Sequence, residues 1–166
     1  MGVGKTTLGR QLASALGVPF TDSDHEIERR TGVNIPLIFD IEGEQGFRRR
    51  ERDVIDEFTQ RHGIVLATGG GAVLDDDNRA HLRQRGKVVY LRASIDHLLK
   101  RTASDRNRPL LQTENPRLKL EQLMAERDPL YREVADLTVD TDRHSVHRTA
   151  EYIIRSVRRD SSAHSS

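Results

Sequence analysis

Short apolar runs alternate with amphipathic stretches along the chain. Ile64-Val65-Leu66-Ala67, Lys87-Val88-Val89-Tyr90-Leu91 and Ala135-Asp136-Leu137-Thr138-Val139 read as strands, each followed by a helical pattern. Val18-Pro19-Phe20-Thr21-Asp22-Ser23-Asp24 reads as a further short strand. This is the βαβ rhythm of a parallel sheet with helices over it, an α/β fold. Ser23-Asp24-His25-Glu26 forms a capping box and Gly32 follows Glu28 to Thr31, so a helix is predicted over 23–31. Phe47, Val54, Ile55 and Phe58 fall at i, i+7, i+8 and i+11, one stripe of a second helix, with Arg48, Arg49 and Arg52 off that stripe. Residues 102–117 carry Pro109, Pro116, Arg106, Arg108 and Arg117 without a sustained period. They read as a long loop of the kind that serves as a lid. No internal repeat or linker interrupts 1–159, which reads as one domain, and the polar stretch 160–166 reads as a disordered tail.

Composition narrows the function classes. A chain of 166 residues suits one domain. With no cysteine, disulfides and thiolate chemistry are excluded. No apolar stretch approaches the ~18 residues of a membrane span, and the start does not resemble a signal peptide, so a cytoplasmic protein is expected, with no membrane partner. Lys and Arg total 27 against 26 for Asp and Glu, so no global field attracts polyanions. Only 4% of residues are aromatic and none is Trp, which argues against nucleic acid as a partner. Any anion must be bound locally.

The chain opens Met1-Gly2-Val3-Gly4-Lys5-Thr6-Thr7, and Gly4-Lys5-Thr6 leading into a helix is the second half of a Walker A loop. Backbone N–H groups of the loop and helix start, from Gly2 and Gly4 to Thr7, would cradle phosphates. Lys5 would neutralise them, and the Thr6 hydroxyl is the usual Mg²⁺ ligand of such loops. The first glycine of the full motif falls upstream of Met1, as does the strand that should feed the loop. A misplaced start or a truncated chain is therefore expected, with the first central strand missing. Asp22 and Asp24 end a strand where an α/β sheet faces its ligand crevice; the alternative is that both merely favour the next helix N-terminus. Thr68-Gly69-Gly70-Gly71 lets backbone approach a small ligand closely, or marks an ordinary turn. Arg48, Arg108 and Arg127 offer forks suited to carboxylate or phosphate. The histidines lack metal-ligand spacing; His144 and His147, the one close pair, read as solvated.

Taken together, Gly4-Lys5-Thr6, Asp22-Ser23-Asp24, Gly46-Phe47-Arg48 with Glu51, Thr68 to Gly71, Arg108-Pro109-Leu110-Leu111 and Arg127 with Pro129-Leu130-Tyr131 resemble the shikimate kinase family in order and spacing. The resemblance covers nearly the whole chain. It implies a P-loop kinase fold, a parallel sheet sandwiched by helices, with an acceptor-binding region over about 23–52 and a lid over about 102–117. It implies ATP and Mg²⁺ as co-substrate and cofactor, shikimate as acceptor and a monomer. Lys5 is similar to the residue on the phosphates, Thr6 to the one on Mg²⁺, and Asp22 to the one supporting the metal through its water shell. Asp24 is similar to the acid at the shikimate hydroxyls, Arg48 and Arg127 to the pair holding its carboxylate, and Gly69, Gly70 and Gly71 to its backbone loop. Arg108 resembles the lid arginine at the phosphates and Arg101 the one stacking on adenine. The nucleotide contact expected near Asp142-Arg143-His144 is left unassigned. Two rival readings stay open: a P-loop kinase of another small acceptor such as gluconate, and a nucleotide-binding module without catalysis.

Overall fold

The computed structural model describes residues 4–102 and 114–163. Their order is α1 (Lys5–Leu16), β1 (Phe20–Asp22), α2 (Ser23–Thr31), α3 (Ile35–Thr59), β2 (Val65–Ala67), a 3₁₀ turn (Gly70–Leu74), α4 (Asp76–Arg85), β3 (Val89–Arg92), α5 (Ile95–Thr102), α6 (Pro116–Val134), β4 (Leu137–Asp140) and α7 (Val146–Ala163). The four predicted strands are present, each trimmed at its start to the residues that hold a ladder, while β3 and β4 run on to Arg92 and Asp140. All pairing is parallel: β1 lies on β2 with Asp22 opposite Ala67, and β3 lies on β4 with Arg92 opposite Asp140.

Among the described residues, β2 and β3 each pair on one side only. Both line a cavity of about 380 Å³, through Val65 and Ala67 of β2 and Val89 and Leu91 of β3, with Leu8 and Leu12 of α1 against it. Ladder groups without partners beside an apolar cavity describe a slot for one more strand. This is where the strand feeding the phosphate loop is expected, because α1 begins with that loop and lines the same cavity.

The apolar stripe of α3 is buried as expected: Phe47, Val54, Ile55 and Phe58 are 4%, 1%, 0% and 5% exposed. Together with Ile27 of α2, Ile35 and Ile38, three of these form one core cluster; a second joins Leu98 of α5 to Leu120 and Leu123 of α6. A third joins Leu8 of α1 to Val139 of β4 and Ala150 and Ile153 of α7. α3 is longer than its stripe, starting at the cap Asn34, with a break at Gly43.

Three features differ from the sequence reading. The side chain capping α2 belongs to Asp22 rather than Ser23, accepting from the N–H groups of Asp24 and His25 at 2.9 and 3.2 Å. The lid reading overlaps α5 and α6: Thr102 ends α5, and Pro116 and Arg117 begin α6 behind the cap Asn115. Proline is at home there because its missing N–H is one that a helix start leaves unpaired. The middle of that lid, with Arg106 and Arg108, lies outside the described residues. The expected tail is also shorter, since α7 continues through 160–163. Asp160 pairs with Lys87 at 2.7 Å, and Ser161 and Ser162 donate back to Val157 and Arg158 carbonyls. Such local bonds extend a helix without any apolar stripe to advertise it.

The slot yields a direct test. An apolar strand of about five or six residues fused upstream of Met1 is expected to sharpen thermal unfolding and raise its midpoint by several degrees, because each apolar side chain buried contributes roughly 1.5–3 kcal/mol. An unchanged midpoint would show that the cavity does not take a strand.

Candidate active site

The site forms at the C-terminal ends of β1 and β2, which end in register. Helix α1 begins beside them at Gly4, whose φ of 77° is left-handed and favours glycine. Among the described residues no side chain caps this helix, and no acid occupies its first turn, so its leading N–H groups and positive dipole end suit an anion. Lys5 Nζ donates to the Thr68 carbonyl at 2.5 Å, tying the start of α1 to the residue just before the glycine loop. Thr7 is exposed in the same turn. The Arg101 guanidinium lies against Gly4, where an added methyl group would sit 2.7 Å from Nη1, and Arg101 Nε donates to His97 Nε2 at 2.9 Å. Arg101 is therefore at the phosphate-loop end of the site. Gly2 and Arg108 lie outside the described residues.

Thr6 Oγ1 donates to Asp22 Oδ2 at 3.3 Å, while Asp22 Oδ1 holds the first turn of α2. One carboxylate thus fixes a helix with one oxygen and faces the Thr6 hydroxyl with the other. No group of three or more His, Cys, Asp or Glu side chains that could cage a metal occurs among the described residues. A hard hydroxyl and a hard carboxylate nevertheless fit Mg²⁺, which keeps waters and takes few protein ligands. A cavity of about 510 Å³ is lined by Thr6, Asp22 and Asp24, so this pair and the next carboxylate open on one volume.

The other half of the site gathers on α2, α3, α6 and the glycine loop. Arg48 Nη1 donates to Glu51 Oε1 at 2.8 Å, and Nη2 reaches the more exposed Glu44 at 3.3 Å. A methyl group at Gly71 would sit 2.3 Å from Arg48 Nη2, so only glycine lets the guanidinium lie against this backbone. At Gly69 the same addition would meet Asp24 Oδ1 at 2.9 Å and Glu51 Oε2 at 3.1 Å. Arg127 on α6 is 3% exposed, and its charge acts on Glu51. The loop is held from three sides: Gly69 N–H donates to Ser23 Oγ at 3.3 Å, Tyr131 Oη to the Gly70 carbonyl at 2.6 Å, and Asn78 Nδ2 to the Ala72 carbonyl at 3.0 Å. Tyr131 is itself packed on Tyr90, with ring centroids 4.8 Å apart, and Tyr90 donates to Asp128 at 2.7 Å. Burial and the Asp128 carboxylate both push the Tyr90 hydroxyl well above its ordinary pKa, so it stays a donor.

Two cations, Arg48 and Arg127, thus stand with two carboxylates, Asp24 and Glu51, around a glycine loop. Burial raises Glu51 to about 7, although Arg48 pulls it down. Its folded-state value lies above the ordinary carboxyl value of 4.5, so its protonated form favours the fold, and that contribution declines as pH rises from about 4.5 to about 7. Asp22, Asp24, Arg48, Gly69 and Gly71 are brought together as the motifs suggested, and Arg127 joins them. Sequence reasoning gives Glu51 and Tyr131 no role, and Ser23 only that of a helix cap. Glu51 had a readable signal: it stands four residues after Phe47 and three before Val54, a charged residue on an apolar stripe.

The histidine pair is as expected. His147 is exposed, within 3.0 Å of Glu151 and 3.1 Å of Gln11.

The shikimate kinase family model matches residues 1–158. The shikimate kinase of Thioalkalivibrio sulfidiphilus is 63% identical over 93% of this chain and 82% of its own length, and that of Thiobacillus denitrificans is 66% identical over 88% and 80%. Among solved structures, shikimate kinase from Acinetobacter baumannii in complex with shikimate superposes with a TM-score of 0.94 at 54% identity, covering 96% of this chain and 89% of the other. Shikimate kinase from Aquifex aeolicus superposes at 0.81 with 27% identity, covering 97% and 93%.

The two duties of Asp22 are separable. Asp22→Ala removes the helix cap and is expected to cost about 0.5–2 kcal/mol in denaturant unfolding. Asp22→Asn keeps a capping oxygen, so its stability should stay within about 0.5 kcal/mol of the parent while its Mg²⁺ requirement for turnover rises. Equal loss of stability in both variants would contradict the capping role.

Proposed function

The chain belongs to the shikimate kinase family, and we propose that it transfers the γ-phosphoryl group of ATP to the 3-hydroxyl of shikimate with one Mg²⁺ held at Thr6 and Asp22. The observation that supports this reading best is the convergence of Arg48 and Asp24 on the Gly69–Gly71 loop, with the buried Arg127 acting on Glu51 beside it, one lysine contact away from the start of α1. In this reading a carboxylate-binding pair and an acid stand beside an anion site.

The start of α1 and Lys5 bind the β- and γ-phosphates, and Arg101 adds positive charge at the same end. Mg²⁺, when bound, neutralises charge on the phosphate oxygens. Thr6 and Asp22 are the side chains that would hold it, Asp22 through its water shell. Arg48 and Arg127 take the acceptor carboxylate, since guanidinium forks match its two oxygens. Asp24 accepts the hydroxyl proton or orients the hydroxyl toward the phosphorus. The glycine loop presents backbone to the ring, kept in place by Tyr131 and Ser23. Little covalent chemistry is asked of the protein, because phosphoryl transfer is governed by alignment and charge neutralisation. Arg108 completes the phosphate contacts from the lid in this reading. We further propose that the chain acts as a cytoplasmic monomer; no described helix is long and apolar enough to cross a membrane.

A coupled assay is expected to detect shikimate-dependent, Mg²⁺-dependent ADP release; a folded protein that binds ATP without it would be a nucleotide-binding module instead. Turnover with gluconate in place of shikimate would reassign the acceptor. Arg48→Ala and Arg127→Ala each remove a charged hydrogen bond worth roughly 1.5–3 kcal/mol. They should raise the KM for shikimate about 10- to 150-fold, at 1.36 kcal/mol per decade, and leave that for ATP nearly unchanged. Lys5→Ala and Asp24→Ala should instead depress kcat strongly.

A further inference from the structure

Glu51 is a charged residue in a core position. It is 1% exposed. Oε1 is taken by Arg48 at 2.8 Å, whereas Oε2 is buried with no hydrogen-bond partner among the described residues. A buried carboxylate oxygen without a donor is costly, and a proton on that oxygen removes the cost. The charged groups facing Glu51 are Arg48 from its own helix, with Glu44 on the far side of that guanidinium, Asp24 from α2 and Arg127 from α6. Asp24 and Glu51 flank the same glycine, Gly69. Among the described residues, two guanidinium groups balance two carboxylates in this largely buried set.

Resting on the proposed carboxylate-binding role of Arg48 and Arg127, we propose that Glu51 takes up one proton when the acceptor carboxylate engages those two arginines. A third anion arriving beside two cations leaves one negative charge uncompensated in a site where little water can screen it. It also draws Arg48 away from Oε1, the contact that favours the ionised form. Glu51 is the carboxyl that yields, because its other oxygen is already unpartnered and burial already holds it near neutrality, at about 7. The proton passes from a buffer acid to Oε2, and no other bond changes. The consequence is an acceptor site that is electrically matched to a carboxylate only in its protonated form, so affinity falls with rising pH although the acceptor's own charge does not change.

The test is titration calorimetry of shikimate into the nucleotide-free protein at pH 8, in HEPES and in Tris, whose ionisation enthalpies differ. The enthalpy is expected to differ between the buffers by the equivalent of up to one proton per acceptor bound, and Kd should weaken toward tenfold per pH unit above pH 8. Glu51→Gln should abolish the buffer difference and flatten the Kd profile. Identical enthalpies in the two buffers for the parent protein, or an undiminished difference in Glu51→Gln, would overturn the proposal. Should that variant fail to fold, the ¹³C resonance of the Glu51 carboxyl in the parent decides: a shift toward the protonated position on adding shikimate supports uptake, and an unmoved resonance refutes it. No heat with shikimate at any pH would sink the carboxylated-acceptor reading itself, an outcome distinct from buffer-independent heat.

Discussion

Arg48 and Glu51 meet at 2.8 Å beneath a loop whose backbone leaves no room for a side chain at Gly71. A buried ion pair carries a desolvation penalty that only close geometry and further partners offset. Much of the surrounding architecture supplies that geometry. α3 delivers both partners from successive turns, anchored by Phe47, Val54, Ile55 and Phe58 in the core. α6 brings Arg127 as a second cation, and its Tyr131 pins the Gly70 carbonyl, so the loop cannot drift off the guanidinium. The glycines are needed there because charge has to approach backbone, rather than because the chain has to turn.

The phosphate end follows a different logic. It rests on dipoles and an unblocked helix start rather than on buried pairs. Asp22 links the two ends: one oxygen caps α2, the helix that carries Asp24, and the other faces Thr6. Displacing this single residue would disturb the partner of Thr6 and the placement of Asp24 together. Lys5 makes the second link by reaching the Thr68 carbonyl, so the start of α1 and the Gly69–Gly71 loop share a hydrogen bond across 63 residues of chain. Proximity of the two ends of the site is built into these two contacts. Beneath them, among the described residues, β2 and β3 each pair on one side and both border an apolar cavity.

Local signals carried far in this chain. The spacing of Gly4, Lys5 and Thr6, the bounds of α2 at Ser23 and Thr31, and the stripe from Phe47 to Phe58 depend on residues within a few turns of one another, and each appears where the pattern put it. The parallel arrangement also followed from the alternation of strands and helices. Family resemblance then attached chemistry to those positions. Local signals misjudged places where a polar residue has two uses: Asp22 caps α2 although Ser23 fits the capping pattern, because Ser23 is buried beneath Gly69 instead. They also missed the helical end of α7, where a distant lysine and backbone-directed serines replace an apolar face.

Residue types, periods and motif spacing are properties of neighbouring positions, so the sequence by itself determined the α/β class, the helix starts and the set of charged residues available to a site. Which of those charges would be buried was decided by packing alone. Arg48 belongs to a run of three arginines, yet it lies 18% exposed against Glu51 while Arg50 pairs at the surface with Glu42. Glu51 stands on the apolar stripe of α3, but the charges it meets are set only when α2, α6 and the glycine loop close over it. Its ionisation depends on Asp24, Arg48 and Arg127, drawn from three helices. Desolvation and charge coupling exist only once those segments share a volume, and no spacing within one segment can record them.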